Sequence, residues 1–467
     1  MKRDNKDNSM DKIISLCKRR GFIFPSSEIY GGLSNSWDFG PLGTEMKNNI
    51  KNRWWKKFVH DRSDIIGMDS SIIINPKVWQ ASGHTDGFSD PLVECRKCHT
   101  RFRADHLIGE EAWQKIEDKS PQEKKEEIKR ISPQCPSCQE KDSFTEPKKF
   151  NLMLKTFLGP VEDKTDPVFL RPETAQGIFI NFKNILDSSR RSIPFGIAQI
   201  GKAFRNEITP GNYIFRTREF EQMEIEYFIP QPEKDEDWQR YFQEWKREMI
   251  DWIEDLGISY SDEIKELDVP SKDLAHYSKK TIDFEYEFPF GTKELYGLAY
   301  RTDFDLKNHE EKSKENMKYR DSKTEKEYWP HVIEPTFGVE RSLLAALVSA
   351  YKEEKVKDET RIVMKFPSWL APIKVAFLPL VKNKKEIKEK SIEIYNSFKE
   401  KLPADYDDSG AIGRRYRRQD EIGTPFCVTI DFETIDNNKV TVRERDTMKQ
   451  ESVDVDILHE YLKERIN

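Results

Sequence analysis

The residues of this chain best suited to chemistry lie on a predicted β-hairpin, residues 193–207 and 214–229, with a turn near Pro210. Side chains alternate between the two faces of a strand, so every second residue of the return strand shares a face. One face carries two arginines, an aromatic ring and a carboxylate, at Arg216, Arg218, Phe220 and Glu224. Arg205 and Glu207 end the first strand with the same parity. The opposite face is predicted to be core and carries Met223, Ile225, Tyr227 and Ile229.

Such a face suits a nucleoside triphosphate. Guanidinium groups match phosphate oxygens, an aromatic ring stacks on a purine, and carboxylates hold a magnesium ion or an ammonium group. The spacing is equally compatible with an exposed strand whose charges form surface ion pairs. The hairpin therefore predicts a nucleotide site but does not by itself establish one.

Four of the six cysteines form two closely spaced pairs, Cys95 with Cys98 and Cys135 with Cys138. Each CxxC makes a tight turn with two thiolates, and two such turns complete the tetrahedron of a structural zinc site. The intervening stretch is longer than the ~15–20 residues usual for such sites, and its charged middle, residues 110–130, predicts one inserted helix. The alternative is a surface module that holds reduced thiols without a metal. Cys17 and Cys427 are predicted to be buried apolar residues.

Length and charge narrow the class of protein. A chain of 467 residues exceeds the ~250–300 residues at which single cores stop growing, so at least two domains are predicted. The chain is 35% charged with a net charge of -6, which excludes a protein that coats nucleic acid with its whole surface but allows local basic patches. No apolar run approaches the ~18–20 residues of a membrane span, and the first residues lack the apolar centre of a signal peptide. We therefore expect no membrane association and a cytoplasmic location.

Periodicity and composition predict the elements around the hairpin. A polar N-terminal tail precedes a short helix from about Met10. A long amphipathic helix is predicted by apolar residues at every fourth position, Met46, Ile50, Trp54 and Phe58. Residues 71–75 then predict a strand that ends at Pro76. Residues 307–327 are dense in charge and predict a solvated helix or loop.

Beyond residue 367 the pattern predicts a small α/β domain. Its predicted order is a strand within residues 373–381, a helix over 384–402, a basic segment, a strand from Phe426, a hairpin turn at 436–438, a strand from Lys439 and a closing helix. The basic segment places four arginines around Tyr416, namely Arg414, Arg415, Arg417 and Arg418. Arginines with an interleaved aromatic residue suit unpaired RNA bases. Solvated surface charge is the alternative.

Several motifs together resemble the class II aminoacyl-tRNA synthetases. Three segments resemble the signatures of that class: the helix leading to residues 72–76, the pair FRNE (204–207) and RTREF (216–220), and GVER (338–341). Three more are similar to the dimeric glycyl-tRNA synthetases within the class: RPETAQ (171–176), EFEQMEIE (219–226) and GRRYRRQDEIGTP (413–425). The resemblance runs from about Asp11 to the C-terminus.

The resemblance implies a reaction and an ATP site. A glycine carboxylate attacks the α-phosphate of ATP, and the terminal ribose hydroxyl of tRNA(Gly) then takes the glycyl group from the adenylate. Positioned cations stabilise the charge that builds at phosphorus, and Arg205 is assigned that task beside Glu207 and Arg341. Arg216 and Arg341 are expected to hold the γ-phosphate of a bent ATP, with magnesium near Glu294. The full ATP set is Arg205, Asn206, Glu207, Phe215, Arg216, Phe220, Glu294, Leu295, Gly338 and Arg341.

Glycine has no side chain to recognise, so its site must hold the ammonium group and exclude larger amino acids by volume. By the resemblance, Glu173 and Glu224 surround the ammonium, and Glu334 with Thr336 forms a further wall. Many members of the family have serine at the position of Thr336, whose extra methyl either narrows the pocket or displaces a hydrogen bond. Arg103 matches another substrate contact, with a surface role as the alternative. The full glycine set is Arg103, Glu173, Phe220, Glu221, Gln222, Met223, Glu224, Glu334, Thr336 and Gly338.

We therefore predict an α+β protein. Its parts are a class II antiparallel sheet of about six strands flanked by helices (residues 1–91 and 148–366), an inserted zinc ribbon (92–147) and a C-terminal α/β anticodon-binding domain (367–467). It is expected to be a homodimeric, cytoplasmic member of the family that uses ATP, Mg²⁺ and a structural Zn²⁺. The alternatives are a synthetase of the same class for serine, proline or threonine, a non-enzymatic accessory relative that binds nucleic acid, and a zinc-ribbon RNA-binding protein.

Overall fold

The structure is a computed structural model that describes residues 4–160 and 167–466. Residues 1–3, 161–166 and 467, which the predicted tail and domains include, lie outside the described residues. The α-helices are α1 (Asp4–Arg20), α2 (Pro41–Trp55), α3 (Pro76–Ala81), α4 (His84–Gly87), α5 (Ala104–Ile108), α6 (Glu110–Gln114), α7 (Pro121–Ile131), α8 (Ala175–Ser189), α9 (Asp235–Asp255), α10 (Tyr260–Glu263), α11 (Phe304–Ser313), α12 (Val339–Ala350), α13 (Lys385–Phe398), α14 (Ile412–Ile422), α15 (Phe432–Asn437) and α16 (Leu458–Ile466).

The strands follow in the same chain order. They are β1 (Ile23–Pro25), β2 (Trp37–Phe39), β3 (Ile65–Gly67), β4 (Ser89–Glu94), β5 (Arg101–Arg103), β6 (Lys148–Asn151), β7 (Lys155–Thr156), β8 (Val168–Phe169), β9 (Phe195–Phe204), β10 (Glu219–Ile229), β11 (Ile264–Asp268), β12 (Lys280–Phe288), β13 (Gly291–Thr302), β14 (Tyr319–Arg320), β15 (Glu327–Tyr328), β16 (His331–Gly338), β17 (Tyr351–Val356), β18 (Glu359–Met364), β19 (Val375–Pro379), β20 (Ala404–Tyr406), β21 (Phe426–Ile430), β22 (Lys439–Glu444) and β23 (Gln450–Asp454).

A seven-stranded sheet forms the centre of the protein, in the order β11-β12-β13-β16-β10-β9-β3. Its first six strands are antiparallel to their neighbours, as predicted, and β3 adds a parallel strand beside β9. The close approach of β3 to the end of α2 requires a glycine, since a Cβ on Gly67 would lie 2.1 Å from the ring of Trp55. The sheet is therefore mixed rather than purely antiparallel.

The strand predicted at residues 71–75 is wrong. Within it, Ile73 makes an isolated bridge with Leu170, while β3 ends at Gly67. Ile65 and its neighbours already occupy the position beside β9. The later apolar run therefore forms only this isolated bridge and does not join the central sheet as a strand.

Helices cover both faces of the central sheet. The predicted amphipathic helix is confirmed as α2, continued by a π-helical turn at Lys56–His60, and its four predicted apolar residues are fully buried. It packs with α9 and α12 against Met223, Ile225, Tyr227 and Ile229 of β10, the face predicted to be core. On the other face Phe179 and Phe182 of α8 pack against Phe228. The charge-dense run at 307–327 begins in α11 and continues mainly as loops and a short β-ribbon of β14 and β15.

The cysteine-containing insertion has its own small core. Strands β5, β4 and β6 form a three-stranded sheet, and Val93, Phe102, Trp113, Ile128 and Phe144 pack beside it. The single helix predicted at residues 110–130 is wrong, because the structure has α6 and α7 there. A capping box between Ser120 and Glu123, followed by Pro121 at the first helical position, starts a new helix.

The C-terminal part is an α/β layer, as predicted. Its five-stranded sheet has the order β20-β19-β21-β22-β23, with β19 parallel to both β20 and β21. The basic segment forms α14. The hairpin turn predicted at 436–438 is wrong, because α15 joins β21 to β22, begun by a capping box between Asp431 and Thr434. No helix among the described residues is long and apolar enough to span a membrane.

A buried ion cluster joins β18 to the C-terminal layer. Asp420 of α14 is fully buried, and its carboxylate accepts hydrogen bonds from Arg361 Nε at 2.8 Å and Arg443 Nη1 at 2.9 Å. Both guanidinium groups are buried as well. Removing one member of such a cluster leaves uncompensated buried charge.

We expect Asp420→Ala to lower the free energy of unfolding by about 3–5 kcal/mol, the range for breaking a buried ion pair. Urea denaturation of the full-length chain measures this change. The exposed Asp456 provides the control, since Asp456→Ala should change stability by less than about 0.5 kcal/mol. Equal effects of the two substitutions would contradict a structural role for the cluster.

Candidate active site

An open cavity of about 690 Å³ lies over the central sheet, where β10, β13 and β16 meet the start of α12. Most of the residues predicted for ATP line it together: Arg205, Glu207, Phe215, Arg216, Phe220, Glu294, Leu295, Gly338 and Arg341. Thr336 and Gln222 of the predicted glycine set line it too. Asn206 lies beside it, where its backbone N–H donates to Leu152 O at 2.7 Å.

Arg205 is held at the cavity wall from several directions. Its Nε donates to the carbonyl oxygen of Pro172 at 3.0 Å. Its guanidinium carbon lies 5.4 Å from the ring centroid of Phe88 and 5.3 Å from that of Phe220. Cation–π attraction to both rings restricts the guanidinium plane.

The return strand of the hairpin begins later than predicted. β10 starts at Glu219, so Arg216 and Arg218 belong to the preceding loop rather than to one strand face. Residues 213–215 are buried and form a compact turn, closed by a bridge between Gly211 and Arg216. This turn directs Arg216 into the cavity, whereas Arg218 is half-buried outside it and its Nη1 donates to Ser34 O at 3.2 Å.

Arg341 occupies the first turn of α12, as predicted. Its Nη1 lies 3.1 Å from the carboxylate of Glu294 and donates to the Glu294 carbonyl at 3.0 Å, while its Cζ lies 4.6 Å from the ring centroid of Phe215. The Glu294 and Asp283 carboxylates converge over Gly297, with oxygens 3.9 and 3.7 Å from the position of a Cβ there. Burial and the charge of Glu294 raise the pKa of Asp283 to about 7. Two converging carboxylates are ligands that suit Mg²⁺.

A buried lysine supports the back of this cavity. Lys47 of α2 lies 2.6 Å from both Glu221 and Glu340, and Glu340 Oε2 also accepts a hydrogen bond from the backbone N–H of Glu221 at 2.8 Å. Glu221 therefore points toward α2, and Met223 lies in the core. The structure does not bring these two side chains of the predicted glycine set to the cavity, because they lie on the opposite face of β10 from Glu224.

Next to the cavity lies a buried cluster of acids. Glu224 and Glu226 of β10, Glu334 of β16 and Glu173 are all buried, and Arg301 of β13 donates to Glu334 Oε1 at 2.8 Å. The cluster contains three of the predicted glycine residues, at Glu173, Glu224 and Glu334. Sequence analysis did not identify Arg301, although a charged residue after the apolar run 298–300 is the signal that predicts a buried functional group.

The acids of this cluster differ in their protonation. Burial raises the pKa of Glu334 to about 8, against the opposing effect of Arg301. Burial and the charge of Glu173 also raise the pKa of Glu224, whose Oε2 accepts from the backbone N–H of Thr174 at 3.0 Å. Burial would raise the pKa of Glu173, but His84, Arg301 and Gln176 together lower it below its usual range. Glu173 is therefore ionised at neutral pH.

Glu226 is the most isolated member. It is fully buried, both carboxyl oxygens lack a hydrogen-bond partner, and burial with the charge of Glu334 raises its pKa well above the usual value. Asp305 of α11 pairs with Arg301 at 2.9 Å and accepts from Gln176, and its charge further raises the pKa of Glu226.

Arg103 lies apart from the acid cluster. Its guanidinium pairs with Asp90 at 2.9 Å and with both oxygens of Asp105. Burial lowers the pKa of Arg103, but Asp105, Asp90 and Glu207 raise it above the usual value. The ion pairs of Arg103, in the cysteine-containing insertion, are therefore close enough to Glu207 at the cavity for their charges to interact.

The four predicted metal ligands converge. Their sulfur atoms lie within 4.8 Å of one another, with 3.7 Å between Cys95 and Cys138 and between Cys98 and Cys135. A tetrahedral Zn²⁺ with Zn–S bonds of about 2.3 Å requires sulfurs about 3.8 Å apart, which this set matches. Burial would raise the pKa of Cys95, but the Ser143 hydroxyl and backbone N–H groups lower it to about 6. The donor set therefore fits zinc.

The four arginines predicted to bind RNA differ in their exposure and in their partners. Arg414 is exposed, but Arg415 is buried and donates to the carbonyl oxygens of Pro379 and Gly410, so it stabilises the domain interior instead. Arg417 pairs with Asp420 and Arg418 with Asp407. Sequence analysis missed an exposed apolar group nearby on the same layer, formed by Leu380, Phe432 and Ile435.

Comparison with known proteins finds a matching family for both the central and the C-terminal part of the chain. Residues 159–351 match the family model of the tRNA synthetase class II core domain (G, H, P, S and T), and residues 374–465 match that of the anticodon binding domain. The chain is 53% identical over 463 residues to a glycine–tRNA ligase of Caldanaerobacter subterraneus subsp. tengcongensis, covering 98% of both chains. It is 51% identical to one of Thermobifida fusca, covering 99% of both. The chain therefore belongs to the glycine–tRNA ligase family.

Proposed function

We propose that the protein activates glycine with ATP and transfers the glycyl group from the adenylate to the 3′-terminal ribose of tRNA(Gly). The observation that supports this proposal most strongly is that the arginine-lined cavity and the buried acid cluster are adjacent. A cavity walled by three arginines adjoins a buried cluster of acids. Triphosphate and ammonium are the two charged groups that such neighbours complement.

Each of the three arginines contacts a particular phosphate of ATP. Arg205 approaches the α-phosphate, where it stabilises the charge that builds as the glycine carboxylate attacks. Arg216 and Arg341 hold the γ-phosphate, and Phe220 stacks on the adenine. Glu294 and Asp283 would hold Mg²⁺, which neutralises phosphate charge when bound.

The acid cluster accepts the ammonium group of glycine. Glu173, Glu224 and Glu334 provide carboxylate oxygens, and Thr336 lies beside them at the cavity wall. A site that is closed to any side chain rejects every larger amino acid, and no standard amino acid is smaller than glycine. We therefore expect no separate editing site.

The remaining parts serve the tRNA and the assembly. The C-terminal layer binds the anticodon region, with the exposed Arg414 contacting phosphates and Phe432 offering a ring for an unpaired base. Zn²⁺ would be held by the four cysteines and would fix the inserted ribbon. Ile29 and Tyr30 are 88% and 87% exposed, an apolar surface that a second copy of the chain covers in the proposed homodimer. A cytoplasmic location remains a prediction that fits an enzyme of protein synthesis.

Arg205→Ala should lower the rate of glycine-dependent ATP–pyrophosphate exchange by about 100-fold or more, because a fixed cation at the developing charge is lost. The matched control is Arg218→Ala, which changes an arginine of the same hairpin that does not line the cavity and should leave exchange within about threefold of the unmodified protein. Unchanged exchange in Arg205→Ala would remove this residue from the mechanism.

The KM for glycine should fall as pH rises from about 6.5 to about 8.5. Glu334 loses its proton as pH passes its raised pKa of about 8, and the carboxylate attracts ammonium while the neutral acid does not. Glu334→Gln should raise this KM and flatten its pH dependence. Exchange kinetics with glycine varied at each pH measures both, and an unaltered slope in the variant would contradict the assignment.

Purified protein should contain about one zinc per chain by elemental analysis, because four thiolates form a closed structural site. Cys95→Ser should lose the metal. Cys427→Ala, which changes a buried cysteine outside the cluster, should retain it. A metal-free native protein would contradict the zinc assignment while leaving the ligase activity in place.

A further inference from the structure

A short turn lies between the acid cluster and Arg205, and the proposed function gives it no role. We call residues 84–88, which comprise α4 and Phe88, the 84–88 turn. Its first residue contacts Glu173, and its last contacts Arg205. Those two groups face different substrates, the glycine ammonium and the α-phosphate of ATP.

His84 fixes one oxygen of Glu173. The ring is 5% exposed, its Nε2 lies 3.2 Å from Glu173 Oε2, and its Nδ1 lies 2.8 Å from the hydroxyl of Ser82. With the proton on Nε2, the ring donates to the carboxylate and accepts from the hydroxyl, so both nitrogens are satisfied. Gln176 Nε2 donates to the other oxygen, Glu173 Oε1, at 3.1 Å. Each oxygen of Glu173 thus has one protein donor and keeps a lone pair for an ammonium group.

Phe88 fixes Arg205. Its ring and that of Phe220 both make cation–π contacts with Arg205, with ring centroids 5.4 and 5.3 Å from the guanidinium carbon. Phe88 itself is held against the buried cluster that contains Trp79 and Met153. The guanidinium plane therefore depends on a ring whose own position is set by packing.

The backbone of the turn is fixed independently of these side-chain contacts. Asn151 Nδ2 donates to the carbonyl oxygens of His84 and Thr85 at 3.1 and 3.0 Å. Gly83 enters the turn at φ 82°, a left-handed conformation that suits glycine, and a Cβ there would lie 3.3 Å from His276 Nε2. Leu152 N donates to Phe88 O at 3.0 Å.

We propose that His84 and Phe88 are positioning residues, and that the 84–88 turn aligns the two substrates by orienting Glu173 and Arg205 from one rigid segment. This inference rests on the proposed function, since it assumes that these two groups face glycine and ATP. Phe88 also precedes Ser89, the first residue of β4, so the turn joins the catalytic groups directly to the cysteine-containing insertion.

The test uses full-length protein in ATP–pyrophosphate exchange, with glycine and ATP varied in turn. His84→Asn retains an amide near Ser82 but is too short to reach Glu173, so the KM for glycine should rise about tenfold or more while the KM for ATP stays near that of the unmodified protein. His84→Gln extends its amide donor to the position of Nε2 and should restore the KM for glycine. Failure of His84→Gln to differ from His84→Asn would overturn the role of His84.

Phe88 is tested by a different kinetic constant. Phe88→Leu keeps apolar packing but removes the ring, so kcat should fall about threefold to thirtyfold with little change in the KM for glycine. Phe88→Tyr keeps the ring and should retain most of kcat. The exposed Asp86 of the same turn serves as the control, and Asp86→Ala should leave all three constants unchanged.

Thermal unfolding of each variant separates positioning from stability. The proposal fails if each of His84→Asn and Phe88→Leu lowers both kcat and the affinity for glycine, and if these losses scale with the decrease in melting temperature. The turn would then have only a structural role. Separate effects, on the KM for glycine in one variant and on kcat in the other, support it. Failure of the proposed function is a distinct result, because the unmodified protein would then show no glycine-dependent exchange.

Discussion

The active site depends on an imbalance of buried charge. Around the guanidinium of Arg301, the structure buries five carboxyl groups: Glu173, Glu224, Glu226, Glu334 and Asp305. Burial raises the pKa values of Glu224, Glu226 and Glu334, and the charges of Arg301 and Arg205 offset only part of that effect. An ammonium group adds the positive charge that lets more of them ionise. Under the proposed function, the same imbalance that is costly for folding favours the binding of a small cation.

The central sheet makes this arrangement possible because backbone pairing sets the spacing of the charges. Glu224 of β10 pairs with Thr336 of β16, and Glu334 pairs with Ala299 of β13. These registers place Glu224, Glu334 and Arg301 on three adjacent strands at fixed separations, which flexible loops do not provide. The buried Lys47 connects the same sheet to α2 and, through Glu340, to α12, the helix that carries Arg341. The same strands therefore both position the charged groups and form the packed core.

Sequence patterns predicted the elements that follow a simple period, and they failed where partners decide the structure. The four-residue spacing of α2 and the core side of β10 were predicted correctly, since period and burial coincide there. The apolar run at 71–75 has strand propensity, but Ile65 and its neighbours take the place beside β9. The turn at 436–438 has turn-forming residues, yet the capping box at Asp431 begins a helix instead. His84 was missed because its partner Glu173 lies 89 positions later in the chain, a separation that no local pattern reveals.

Arginine shows most clearly why residue type is not enough to assign a site. Arg415 belongs to a motif shared with the family, yet its donors are used by backbone carbonyls inside the C-terminal layer. Arg103 is likewise engaged by Asp90 and Asp105. Arg205 makes one hydrogen bond through Nε and is otherwise held by aromatic rings, which attract its charge without occupying its N–H groups. A guanidinium held by rings stays oriented and still has donors for a phosphate, whereas one held by carboxylates or carbonyls has already used them. By this criterion Arg205 is built to bind an anion and Arg415 to stabilise the fold.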